Sequence, residues 1–85
     1  MSANIEFLAL ARKLSEIISV SDNYLSLSLI LSIGYNGSLT ELNNILRILL
    51  DRSDINRDIA ITELKKILFY NNMNINLREK FDSLI

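Results

Sequence analysis

Four acids gathered around one corner are the side chains of this 85-residue sequence whose types and spacing most suggest chemistry: Asp51, Asp54, Asp58 and, on the following segment, Glu63. Asp54-Ile55-Asn56-Arg57-Asp58 matches the opening of a calcium loop, where carboxylates and amides at alternate positions surround a hard cation. The match then fails on chemistry. The sixth position needs Gly for a sharp turn and holds Ile59, and the twelfth needs a bidentate Glu and holds Lys65. The spacing therefore predicts a capped helix start with acids near the positive end of its dipole, and no metal. Arg47, Arg52 and Arg57 are interleaved with the acids and predict ordinary ion pairs. The sharper reading is an acidic patch that meets a basic partner, such as the phosphate-binding cleft of a nuclease.

Other catalytic chemistry is short of groups. With no His and no Cys, nucleophilic triads, imidazole acid–base work and thiolate chemistry are excluded. The two glycines, Gly34 and Gly37, share one turn and form no phosphate-binding loop. No pair of carboxylates flanks an evident cleft, so neither an enzyme nor a cofactor is expected. Tyr24, Tyr35 and Tyr70 fall near the ends of predicted helices, where a ring can be buried while its hydroxyl stays wet. Tyr35 and Tyr70 join Asp51, Asp54, Asp58 and Glu63 as candidate partner-binding residues.

The elements that position these groups are helical. Ile5, Leu8, Ala11, Leu14, Ile17 and Ile18 recur at three- and four-residue spacing and predict a first helix from Ala3 to about Ser19. Ser21 or Asp22 can cap the next one. Tyr24 to Ile33 reads two ways. Apolar residues at 25, 27, 29, 31 and 33 alternate as in a strand, broken only by Ile30. A lone strand leaves its backbone groups unpaired, so a central helix packed on several sides is favoured, and a strand completing a partner's sheet is the other option. Gly34-Tyr35-Asn36-Gly37 predicts a turn, with Gly34 at a left-handed helix end and Asn-Gly at positive φ.

Ser38-Leu39-Thr40-Glu41 matches a capping box. Leu39, Leu42, Ile45, Leu46, Leu49 and Leu50 then form the buried face of a third helix. Asp54 is the expected cap of a fourth, with Ile55, Ile59, Leu64, Ile67 and Leu68 inward. Asn71-Asn72 marks the last corner, and Asn76-Leu77-Arg78-Glu79 starts a short final helix that buries Leu77, Phe81 and Leu84. The expected fold is all-α: a single domain over residues 1–85, built as a compact bundle of four to five short antiparallel helices.

Composition narrows the partners. Nine Lys and Arg oppose ten Asp and Glu, and no basic block exists. That balance weighs against a nucleic-acid binder. The fourth helix could imitate a recognition helix through Arg57, Lys65 and Lys66, but Asp58 and Glu63 would repel phosphate. No apolar run is long enough to span a bilayer, and no basic region precedes an apolar stretch at the N-terminus. A cytoplasmic protein without a membrane partner is expected. At 49% apolar residues, the chain carries more apolar surface than a core of this size needs. Another protein, or further copies of this chain, are the expected partners. In size, acidity and helical content the sequence resembles the small all-helical immunity proteins of bacterial contact-dependent inhibition and bacteriocin systems. The resemblance implies a tight complex with a toxin domain, often a nuclease, whose active site is occluded. A small dimeric regulator that binds nucleic acid and a self-associating structural protein are the other classes considered.

Overall fold

In the computed structural model, which describes residues 2–69 and 75–85, every regular element is helical. Five α-helices follow one another: α1 (Ala3–Ile17), α2 (Tyr24–Gly34), α3 (Leu39–Leu50), α4 (Arg57–Phe69) and α5 (Ile75–Leu84). A 3₁₀ turn, Ser21–Asn23, leads directly into α2. Tyr70 and the predicted corner at Asn71-Asn72 lie outside the described residues. Among those residues, no helix is long and apolar enough to cross a membrane.

Local chemistry sets the helix ends. Ser2 Oγ accepts from the Ile5 amide at 3.3 Å and Ser38 Oγ from the Glu41 amide at 3.1 Å, so each begins its helix by satisfying a free N–H. At α4 the cap is Asn56, whose Oδ1 accepts from the Ile59 amide at 2.9 Å. The expected cap, Asp54, is instead engaged by Arg52. Ser21 and Asp22 belong to the 3₁₀ turn and give α2 no side-chain cap. The end of α1 is a Schellman turn: Val20 N donates to Ser15 O at 2.8 Å, and Ser19 holds the left-handed conformation at φ 64°.

The glycines play another part than expected. Neither has positive φ. Gly34 is buried where α4 and α5 close on α2. A Cβ there would stand 2.5 Å from Leu68 Cδ2 and 2.9 Å from Leu77 Cδ2. Gly34 thus supplies room, not a special dihedral.

Packing follows the connections. Asn43 meets Ala3 and Arg47 meets Glu6, so the contacts advance together along α3 and α1, and these two helices run the same way. Tyr24 lies beside Arg12, and the later Ser28 and Ser32 share a groove with the earlier Asn4 and Leu8, so α1 and α2 run antiparallel. Helix α1 packs mainly on α3 and α2, and α2 packs also on α5 and α4. The core is formed by Phe7, Leu14, Leu31, Leu46, Leu64 and Phe81 with their neighbours. A radius of gyration of 11.7 Å matches the value of about 12 Å for a folded chain of this length.

Two expected core positions on α1 face outward: Ile5 and Leu8 are exposed, and Phe7 and Leu10 take the buried places. On α2 the difference is larger. It is a helix, as favoured, but packed on one side. Leu27, Ile30, Leu31 and Gly34 are inward, whereas Leu25, Leu29 and Ile33 are outward. An alternating pattern wound at 3.6 residues per turn must divide this way. Every second leucine shares a stripe at four-residue spacing, and the intervening set falls on the opposite side.

Candidate interaction surface

The acid corner forms where α3 ends and α4 begins, and it is laced with cations. Arg52 holds Asp54 in a bidentate pair, Nε to Oδ1 at 2.9 Å and Nη2 to Oδ2 at 2.8 Å. The same guanidinium reaches Glu63 at 3.7 Å, and Lys66 Nζ reaches it at 3.2 Å. These bonds hold the Asp54 carboxyl below its ordinary range, chiefly through hydrogen bonding to Arg52. They raise the Arg52 guanidinium in return. Asp51, which ends α3, and Asp58, in the first turn of α4, are exposed. The four predicted acids therefore share a region, but Asp54 and Glu63 are already paired within the chain. Among the described residues, no three acidic side chains gather where a metal ion could be held.

The other predicted residues divide. Tyr35 is half-buried, its ring lies against Gly37, and its hydroxyl donates to Glu41 Oε2 at 3.3 Å. Burial, followed by the charge and hydrogen bond of Glu41, raises the Tyr35 hydroxyl above its usual pKa. It fastens the turn before α3. Tyr70 lies outside the described residues. Tyr24 lies under the Arg12 guanidinium, 5.4 Å from ring centroid to Cζ. Of the basic groups on α4, Arg57 Nε donates to the Ile18 carbonyl at 3.3 Å and Lys66 is paired with Glu63. Both are turned to the chain itself.

A different surface stands out. Leu25, Leu29 and Ile33 are 61%, 60% and 63% exposed along one stripe of α2, and Leu8 of α1 is 42% exposed across from them. Between the two helices runs a shallow, open groove of about 370 Å³, lined by Asn4, Leu8, Leu25, Ser28, Leu29 and Ser32, among others. Leu29 also borders a wider cleft toward α5, of about 680 Å³, so the stripe is a ridge with a depression on each side. Two serines line the α2 side of the groove. Ser28 Oγ donates to Tyr24 O at 2.7 Å and Ser32 Oγ to Leu29 O at 3.0 Å, which satisfies both hydroxyls within the helix. From Tyr24 to Gly34 there is no charged residue, and the groove lining contains none.

Sequence reasoning missed this ridge because it treated α2 as surrounded. The signal was present in the alternation itself, which on a helix guarantees an apolar stripe away from a one-sided core.

No family model, curated protein or solved structure matches the chain. The surface is therefore read from its own chemistry.

Proposed function

We propose that the protein is a non-catalytic binding module that works by covering apolar surface with the α1–α2 face. The observation that carries the reading is the Leu25–Leu29–Ile33 ridge, with each side chain more than half exposed on a helix without charge. Leaving such side chains in water forgoes roughly 1 kcal/mol or more apiece of hydrophobic stabilisation, which a bound chain recovers. The acid corner supports the role less well. A basic partner there would have to displace Arg52 from Asp54 and Lys66 from Glu63. An immunity function is the form of this proposal in which a toxin domain occupies the face; a second copy as occupant is argued below.

The test compares tagged baits in lysate of the source cells, washed in parallel at about 0.15 M and about 1 M salt, the second of which screens exposed charge pairs to a Debye length of about 3 Å. A partner kept by the unaltered bait and by Asp51→Lys/Asp58→Lys, yet lost by Leu29→Asp, supports the apolar face. Loss with the lysine pair and retention with Leu29→Asp would move the site to the acid corner. A toxin domain among the proteins lost with Leu29→Asp would place the chain with the immunity proteins.

A further inference from the structure

We infer that the occupant of the α1–α2 face is a second copy of this chain, in a two-fold contact that seats the ridge of each copy in the groove of the other. The inference rests on the reading of this face as a binding surface and names its partner.

Shape is the first argument. Ridge and groove lie side by side on one face, and both are built on α2. From Leu25 to Ile33 the ridge extends about 12 Å at 1.5 Å per residue, and the groove borders α2 from Leu25 to Ser32, about 10 Å. A two-fold rotation about an axis between the ridge and the groove exchanges the two features, so one patch supplies both halves of an isologous contact. Helices that pack ridges into grooves use this same complementarity.

Charge is the second. Residues 24–34 are the one described α-helix without a charged side chain, so a contact centred on α2 buries no charge of either copy. The groove lining contains no charged residue either. Arg12, over Tyr24, stands at the edge of the face and outside the groove lining, so a strongly charged foreign surface gains little across the ridge and an uncharged face such as a second copy suits it.

Area is the third. With Leu8, Leu25, Leu29 and Ile33 exposed at 42%, 61%, 60% and 63%, the ridge and groove fully covered would bury at most roughly 500 Å² per copy, about 1,000 Å² for the pair, the lower bound of a specific interface. A contact of this size gives a dimer that forms and dissociates with concentration.

The experiment is sedimentation equilibrium of the full chain from about 1 μM to about 1 mM, the span in which such a contact titrates. The mass should rise from 9.7 kDa toward twice that value. Leu29→Asp should weaken association at least tenfold with helical circular dichroism unchanged, because the side chain is outside the core. Ile48→Asp, at an exposed α3 position, should leave association as it was. The chain has no cysteine, so Leu29→Cys carries a single thiol. A short bismaleimide should link Leu29→Cys into dimers and leave Ile48→Cys monomeric. A chain monomeric throughout, or a dimer indifferent to Leu29→Asp and linked equally through both cysteines, would overturn the inference. If the chain is monomeric while Leu29→Asp still abolishes capture of a foreign protein, the binding face stands and the second copy falls. If neither association nor capture depends on Leu29, both readings fall.

Discussion

Asn43 Nδ2, in α3, donates to the backbone carbonyl of Ala3 at 3.0 Å, across 40 residues of chain. The same amide donates to Glu6 Oε1 at 3.3 Å, and Arg47, one turn later, pairs with Glu6 at 3.3 Å. Asn43 is 1% exposed, and the beginning of α1 provides partners for its Nδ2, while its buried Oδ1 has none among the described residues. The two helices are thereby fixed in register, which sets where the α1 wall of the groove stands.

Asn43→Ala removes the buried donor and should cost about 1–3 kcal/mol in urea denaturation. Arg47→Ala breaks a partly exposed pair and should cost about 1 kcal/mol or less. A larger loss for Arg47→Ala than for Asn43→Ala would contradict this division of roles.

Leu46 and Ile67 were both inward by sequence, yet their surroundings differ. Leu46 is fully enclosed, whereas Ile67 is half-buried beside a small α3–α4 groove. Leu46→Ala should cost about 2–5 kcal/mol through lost burial and the cavity left behind. Ile67→Ala should cost distinctly less. Equal shifts in the urea midpoint would count against the assigned faces.

Much of the fold was legible because the cues were local. The three- and four-residue spacing of Leu42, Leu46 and Leu49 defines a buried face without knowledge of the neighbours, and Ser38 is a cap by its own geometry. Other features depend on what comes from elsewhere. Asp54 was the expected cap, but its carboxylate is taken by Arg52 and Asn56 accepts from the Ile59 amide instead. Gly34 looked like a backbone device, but the leucines pressing on it belong to α4 and α5, far along the chain. The ridge at Leu25, Leu29 and Ile33 required knowing that α2 is covered on one side only. The acid corner was found in its place, but its internal pairing depends on the reach of long side chains that sequence spacing does not fix.

Ser19 bears the left-handed conformation that Gly usually takes at a helix end. For a residue with a Cβ this costs roughly 1 kcal/mol. Ser19→Gly removes that strain and, after the added flexibility of the unfolded chain, should stabilise the protein by up to about 1 kcal/mol, read as a higher melting temperature. A lower melting temperature would show that the Ser19 side chain contributes more than its backbone costs.

Asp54 sets the pH dependence of the acid corner. Its carboxyl is held below the value it has in the unfolded chain, so the folded state favours the ionised form. The contribution of the pair is present above the ordinary carboxylate range and is lost as pH falls through the lowered pKa. Arg52→Gln should return the Asp54 titration, followed by carboxyl carbon NMR, toward the unperturbed range. An unchanged midpoint would mean that Arg52 is not its cause.

The most direct measurement of the central claim is methyl NMR with a soluble paramagnetic agent, in dilute and in concentrated protein. The outward ridge predicts strong relaxation of Leu25, Leu29 and Ile33 methyls in dilute solution and their protection on concentration, while Ile48 and Ile75 remain relaxed in both. Ridge methyls already shielded in dilute protein would contradict the outward ridge, and ridge methyls equally relaxed at both concentrations would contradict the second copy as its occupant.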